Sequence, residues 1–394
     1  MYKFGKKIGI LLIAVLILGT FLSGCVQKQE TVKEDGDGGE DVIKIGVFEP
    51  LTGPNAAGGA IELEGVKLAN KMYPEVLGKK VELVIVDNKS DKVEAANAAA
   101  RLIEKEKVSA IIGSWGSSLS MAAGDAVKTS QVPAIGASCT NPLVTKSNDY
   151  YFRVCFIDPF QGTVMANYAY NNLGAKKAAI IQEISSDYSV GLSKFFTDAF
   201  KELTGDENAI VGSASYNTGD QDFTAQLNVI KELKPDVVFA PGNFIESALI
   251  VKQAKQQGID IPLLGGDTWE TPEFIEIGGD AVEGIVMSTF FTSEKPITPM
   301  SDEFLKAYRE EYKKEPASVT ALGFDAYIML LDAIKRTNSS EPKDIRDALA
   351  QTKEFQGAAG VITLDNNGDA VKSAVIKVVE DGKFKYLDTV EPIK

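Results

Sequence analysis

Strand-like and helix-like segments alternate along this chain from Val42 onward, the pattern of an α/β fold whose parallel sheets are flanked by helices. Two observations support that class. The strand-like segments are short, nearly continuous apolar runs bounded by turn residues, as expected of strands covered on both faces. The alternation also runs once and then restarts after Asp158-Pro159, which predicts two similar lobes, each with its own sheet.

The segment Ile43-Lys44-Ile45-Gly46-Val47-Phe48 predicts the first strand, and Pro50-Leu51-Thr52-Gly53-Pro54 breaks it into a loop. Leu63, Val66, Ala69 and Met72 follow at helical spacing. Val81 to Val86 predicts a strand buried on both faces. Asp91 with Glu94 has the form of a capping box, ahead of a helix whose apolar face would hold Val93, Ala96, Ala99 or Ala100, and Ile103. In the second half, strands are expected at Ala178-Ile181, Ala209-Val211, Val237-Phe239, Leu263-Gly265 and Ile285-Met287. The helices between them carry Phe195, Phe196 and Phe200, then Leu227 and Ile230, then Leu249 and Ala254. Helices fill Ser301 to Thr352, and Val375-Val379 with Phe384-Leu387 around Asp381-Gly382 predicts a hairpin. Asp365, Asn367 and Asp369 have calcium-loop spacing but lack the glycine and closing glutamate of such loops, so an Asn-Gly turn is expected there.

The stretch from Ala110 to Thr145 reads as strand, loop, helix, strand, loop, with both loops at the carboxyl ends of neighbouring parallel strands, where open α/β sheets bind ligands. Ser117 and Ser118 fall where the helix through Leu119, Ala122 and Ala126 begins. Its unpaired backbone N–H groups and dipole would suit a carboxylate. Ser118 could equally serve only as the helix cap.

Composition narrows the function. The formal charge of −14 disfavours nucleic acid and anionic lipid headgroups as partners. The absence of histidine excludes a Ser-His-Asp triad, a Cys-His pair and His-containing zinc sites. No metal site or cofactor is expected. Asp267 and Glu270 could in principle do acid–base work on a sugar, but no activated nucleophile stands near them. Cys139 and Cys155 could pair in an oxidising compartment or remain buried thiols, the second being preferred.

The N-terminus carries Lys3, Lys6 and Lys7, an apolar run from Ile8 to Phe21, and Leu22-Ser23-Gly24-Cys25. Residues 1–24 have the layout of a signal peptide, and Leu-Ser-Gly-Cys resembles a lipobox, which would make Cys25 the lipid-modified first residue. Residues 25–41 then form a polar tether reaching roughly 20–24 Å.

With that lipobox, Pro-Leu-Thr-Gly-Pro at 50–54, Ile-Gly-Ser-Trp-Gly-Ser-Ser at 112–118 and Gly323-Phe324-Asp325-Ala326, the chain resembles the leucine/isoleucine/valine-binding type of solute-binding protein that serves ABC importers. The resemblance spans Val42 to Lys394. It implies two Rossmann-like lobes joined by a three-strand hinge, the type I periplasmic-binding-protein fold, with lobe one at 42–160 plus 289–362 and lobe two at 161–288 plus 363–394. It further implies an amino-acid ligand, most simply a branched-chain or other apolar one, a membrane permease as partner, and a monomer anchored by lipid outside the cytoplasmic membrane, at the cell surface or in the periplasm.

Mapped onto this chain, the family's ligand groups are Ser117 and Thr140 for the α-carboxylate, and the Ser138 carbonyl and Asp267 for the α-ammonium. Tyr188 is a lobe-two tyrosine. Taken alone, Asp267 reads as a solvated loop acid and Tyr188 as a surface or core-edge aromatic. Trp115 and Trp269, the only tryptophans, would wall the side-chain pocket or shield the cleft. Three departures bear on the side chain bound. Ala57-Gly58-Gly59 replaces an expected aromatic and implies a roomier pocket, Asn243 beside Phe244 stands at a position often tyrosine, and Asp267 is shorter than the usual glutamate. A ligand-sensing ectodomain, or a binder of urea, short amides or aromatic acids, is the alternative; a sensor would be expected to continue into a membrane or signalling region after Lys394.

Overall fold

The computed structural model describes residues 42–392. The expected signal peptide, the lipid-attachment residue Cys25 and the linker lie outside the described residues. No described helix is long and apolar enough to cross a membrane.

The first pass of the alternation gives β1 (Ile43–Glu49), α1 (Ala56–Met72), β2 (Glu75–Val76), β3 (Lys79–Asp87), α2 (Lys92–Glu104), β4 (Ala110–Ile112), α3 (Ser117–Ser130), β5 (Ala134–Gly136) and β6 (Tyr151–Arg153). Their sheet has the order β2-β3-β1-β4-β5-β6, parallel except for the β2 edge. The second pass gives α4 (Asp158–Asn167), β7 (Ala178–Glu183), α5 (Asp187–Thr204), β8 (Ile210–Tyr216), α6 (Thr224–Leu233), β9 (Val237–Phe239), α7 (Phe244–Gln256), β10 (Leu263–Gly265), α8 (Pro272–Gly278) and β11 (Val286–Thr289). There follow α9 (Pro299–Tyr312), α10 (Ser318–Thr337), α11 (Pro342–Leu349), a small sheet of β12 (Phe355–Gly357), β13 (Gly360–Leu364) and β14 (Ala370–Val371), and the hairpin β15 (Ala374–Glu380) and β16 (Lys383–Val390). The hairpin joins the second sheet antiparallel to β11, giving the order β16-β15-β11-β10-β9-β7-β8. The chain therefore moves between the two sheets three times, after β6, after β11 and after β14.

The second passage returns α10 to the first lobe. Sixteen of its twenty residues are buried, and it packs along α1. The two backbones touch: a Cβ on Gly65 would lie 1.9 Å from the Thr320 carbonyl oxygen, and one on Gly323 2.2 Å from that of Glu62. Only glycine permits that approach. Asp325, two residues along α10, accepts from the Ala358 and Ala359 N–H groups at 2.5 and 2.9 Å and so fixes the β12–β13 turn to the helix. The Gly323-Phe324-Asp325-Ala326 segment is thus a packing element.

Three local expectations are corrected. β3 lies between β1 and the edge, so it is only part-covered and Ile85 is exposed. The inward face of α2 is Ala95, Ala98, Ala99 and Leu102, while Val93 is 67% exposed. Asp91 caps that helix through the Val93 and Glu94 N–H groups at 2.8 and 3.0 Å, whereas Glu94 turns outward to Lys89. At 365–369, the Asp365 carboxylate accepts the Asn367 and Asp369 N–H groups, closing an Asn-Gly turn.

Candidate functional site

The strand ends of both sheets face one cleft. On the lobe-one side, Gly116, with φ of +90°, is the residue before α3, and Ser117 is the first residue of the helix. The Ser117 hydroxyl accepts the Asn141 N–H at 3.1 Å, joining the loop after β4 to the loop after β5. Ser118 does not cap the helix. Its hydroxyl crosses the cleft, donating to Asp187 Oδ2 at 2.8 Å and accepting the Asp187 N–H at 3.0 Å. Lys92 Nζ reaches the same carboxylate at 2.8 Å, and Asn141 Nδ2 donates to the Asp187 carbonyl at 2.8 Å. One residue at the start of α5 therefore clasps three separate segments of the opposite lobe.

The loop after β5 is held from beneath by Arg153, which is wholly buried. Its guanidinium donates to the carbonyls of Cys139 at 2.5 Å and Asn141 at 3.0 Å and pairs with Asp369 at 2.7 Å. Cys139 and Cys155 are buried free thiols. The Thr140 hydroxyl and the Asp158 carboxyl are fully buried side by side, the hydroxyl pulling against the upward push of burial on the acid.

On the lobe-two side, Asp267 Oδ1 accepts from Tyr188 Oη at 2.9 Å and from Gln161 Nε2 at 2.7 Å. Gln161 is also tied to Ser288. Asp267 is 3% exposed, far from the solvated acid its loop position suggests. Burial pushes its carboxyl up to about 6, against the pull of Gln161 and Tyr188. Asn243, ahead of α7, turns its backbone N–H toward Glu183 at 3.3 Å.

The two tryptophans part company. Trp115 lies in the cleft, 2% exposed, with its backbone N–H on Glu49 Oε2 at 2.7 Å and its ring edge-on to Phe244 of the other lobe at 6.1 Å. A Cβ on Gly58 would stand 2.4 Å from that ring. The glycines at 58 and 59 therefore do not open the pocket, because the indole occupies the space beside Gly58 and Pro50 the space beside Gly59. Trp269 is fully buried in lobe two, stacked on Phe274 at 4.9 Å, and does not wall the cleft. Thr268 takes that place. A cavity of about 90 Å³ is lined by Trp115, Ser117 and Ser138 from one side and Tyr188, Asn243 and Thr268 from the other; Thr140 and Asp267 are not among its lining residues.

Four groups around the cleft escape the sequence reading. Glu49 and Glu62 are buried side by side, the former on the Trp115 N–H, the latter in a short hydrogen bond from the Ser138 hydroxyl. Burial and their mutual repulsion raise Glu49, and burial lifts Glu62 to about 8. Burial likewise lifts Asp158 to about 8. Gln161 completes the set as the partner of Asp267. An acid inside the apolar stripe of α1, and one immediately before Pro159 at a helix start, are the available sequence signals. Together the cleft offers hydroxyl and N–H donors on one side and carboxyl groups at its floor and far wall, an arrangement suited to a small dipolar molecule.

The sequence model described as periplasmic binding protein matches residues 42–383. Among solved structures, the chain is similar to the leucine-binding protein LivK of Thermotoga maritima, with 45% identity and a TM-score of 0.86 over 89% of this chain and 99% of that one. It is also similar to the substrate-binding protein LivJ of a branched-chain amino acid transporter from Streptococcus pneumoniae, solved with isoleucine, with 34% identity and a TM-score of 0.83 over 89% and 100% of the two chains. Leu/Ile/Val-binding protein homolog 1 of Brucella abortus is 28% identical over 360 residues, 89% of this chain and 95% of the relative.

Proposed function

Because the chain belongs to the periplasmic binding protein family, we propose that it captures a branched-chain amino acid between its lobes and passes it to the permease of an ABC importer. It is a binding protein, not an enzyme. The observation that carries this reading is that the hydroxyl-bearing loops of one lobe and the Tyr188–Asp267 pair of the other meet across one cleft.

A zwitterion needs donors at its carboxylate and an anion at its ammonium, since a buried charge without a partner costs several kcal/mol. On this reading Ser117, Thr140 and the N–H groups at the start of α3 take the carboxylate, and Asp267 with the Ser138 carbonyl takes the ammonium. Tyr188 orients Asp267, and Trp115 and Asn243 bound the side chain. Asp158, beside Thr140, is a second acid for the ammonium end. Because the two ends of the ligand are met by different lobes, only a closed molecule satisfies both, so binding and closure are coupled. Crossings following residues 153, 289 and 371 support lobes near 42–160 with 289–362 and 161–288 with 363–394, except that residues 363–371 pack with the first lobe and move the last boundary to about residue 371. Lipid on Cys25 would tether the molecule, as a monomer, outside the cytoplasmic membrane.

Titration calorimetry against leucine, isoleucine, valine and the other amino acids tests the reading. One ligand per chain, tightest for a branched aliphatic side chain, is expected. Heat from an aromatic acid, urea or an amide alone would replace the proposed ligand, and no heat from any amino acid would overturn it.

A further inference from the structure

A cavity of about 650 Å³ lies apart from the cleft just described. It lies between the α9–α10 turn and α1 on one side and α8 with the β15–β16 hairpin on the other. Its walls are apolar where Ile61, Ile275, Pro316 and Phe384 meet it. Its floor is an ion pair, Lys377 Nζ to Glu270 Oε1 at 2.6 Å, with both side chains at least nine-tenths buried.

The two charges of that pair are unequally satisfied. Glu270 also accepts the Ser318 N–H at 3.3 Å and the Thr289 hydroxyl at 2.5 Å. Lys377 has Glu270 as its one hydrogen-bond partner among the described residues, leaving two ammonium protons toward the cavity. Along the rim, Arg309 is neutralised by Glu315 and Lys314 by Glu64. Lys383 and Lys385 have no ion pair among the described residues. Glu276 and Glu294 line the cavity too, so its rim is mixed in sign, and the unspent donors of the hollow are those of Lys377, set among apolar walls.

We propose that the cavity is a second binding site, for a small organic anion with an apolar body: a monocarboxylate whose head sits on Lys377 and whose chain lies against Ile61, Ile275 and Phe384. A carboxylate supplies acceptors for the unpaired ammonium protons, and charge-assisted hydrogen bonds of this kind are the strong ones. An apolar tail replaces water on the walls. A dianion or a sugar would leave polar groups unmatched there. Because Glu270 lies three residues beyond Asp267 and also bonds the first residue of α10, an occupant would touch groups of both lobes and bias their relative positions.

Octanoate is the probe, titrated by calorimetry with and without saturating leucine. One molecule per chain is expected, binding at about 1 mM or tighter in the presence of leucine. The paired variant Lys377→Met with Glu270→Gln, which leaves no lone buried charge, should weaken it about tenfold. Lys385→Glu, on the rim and harmless to packing, should weaken it severalfold without changing leucine affinity. Absence of octanoate binding, its displacement by leucine, or equal affinity in the Lys385→Glu variant would each overturn the proposal. Failure of leucine itself to bind would instead count against the amino-acid reading of the cleft and leave the octanoate arm decisive for this site.

Discussion

Asp267 illustrates how much a single side chain depends on its surroundings. In a solvated loop it would be an ordinary carboxylate; buried against Tyr188 and Gln161 it titrates near 6. If it meets the ligand's ammonium, binding favours its ionised form. Affinity then falls as pH drops below about 6, by about tenfold between pH 7 and pH 5, which calorimetry at the two pH values reads directly. Asp267→Asn removes the charge while keeping an acceptor for Tyr188, and should cost at least about tenfold, or 1.4 kcal/mol. Thr140→Val should cost a similar factor in affinity, and loss of its contact with Asp158 should cost the ligand-free protein about 1 kcal/mol, read as a lower melting temperature. Ser117→Ala likewise strands the Asn141 N–H, worth about 1 kcal/mol of stability.

At the scale of the element, the clasp at the start of α5 is separate from the proposed ligand contacts. Asp187→Ala removes the Lys92 pair and the Ser118 hydroxyl bond together. Both partners are part-exposed, so the loss is about 1 kcal/mol, roughly fivefold in affinity. It should show as faster ligand release in stopped-flow measurements, with the association rate little changed; an unchanged release rate would mean the clasp does not hold the lobes. Elements were also where the sequence was most legible. Apolar runs located most strands of both large sheets, and Asp91 marked a helix start. The inward face of α2 was not legible, because a run dominated by alanine has little apolar contrast to set its phase, and the Asp91 cap fixes it instead. β3 looked like a central strand because its neighbours in the sheet are not written in its own residues. Ser117, Tyr188 and Asp267 were reachable through the family pattern. Glu62 and Asp158 were not, since an acid reads as solvated until the residues that bury it are known. Trp115 filling the space beside Gly58 joins residues from separate loops, which no local pattern exposes.

For the molecule as a whole, the buried acids set a pH dependence of stability with its own sign. Burial lifts Glu62 and Asp158 to about 8, Asp325 to about 7 and Asp267 to about 6. In the unfolded chain these groups titrate near 4. The folded state therefore holds more protons between those values, and this stability is present at low pH and lost as pH rises through the folded values. Lys372, lowered by burial to about 8, acts the other way, as one group against four. Scanning calorimetry of the ligand-free protein should find a higher melting temperature near about pH 5.5 than near about pH 8. Ligand affinity is expected to move oppositely over the acid half of that range.

The glycine-to-glycine seam between Gly65 and Gly323 has an implication for biogenesis. The first lobe borrows its closing helix from more than two hundred and fifty residues downstream, and the second sheet waits for its terminal hairpin. Neither half can mature as the ribosome delivers it. Full packing of both lobes therefore waits on segments made late in synthesis.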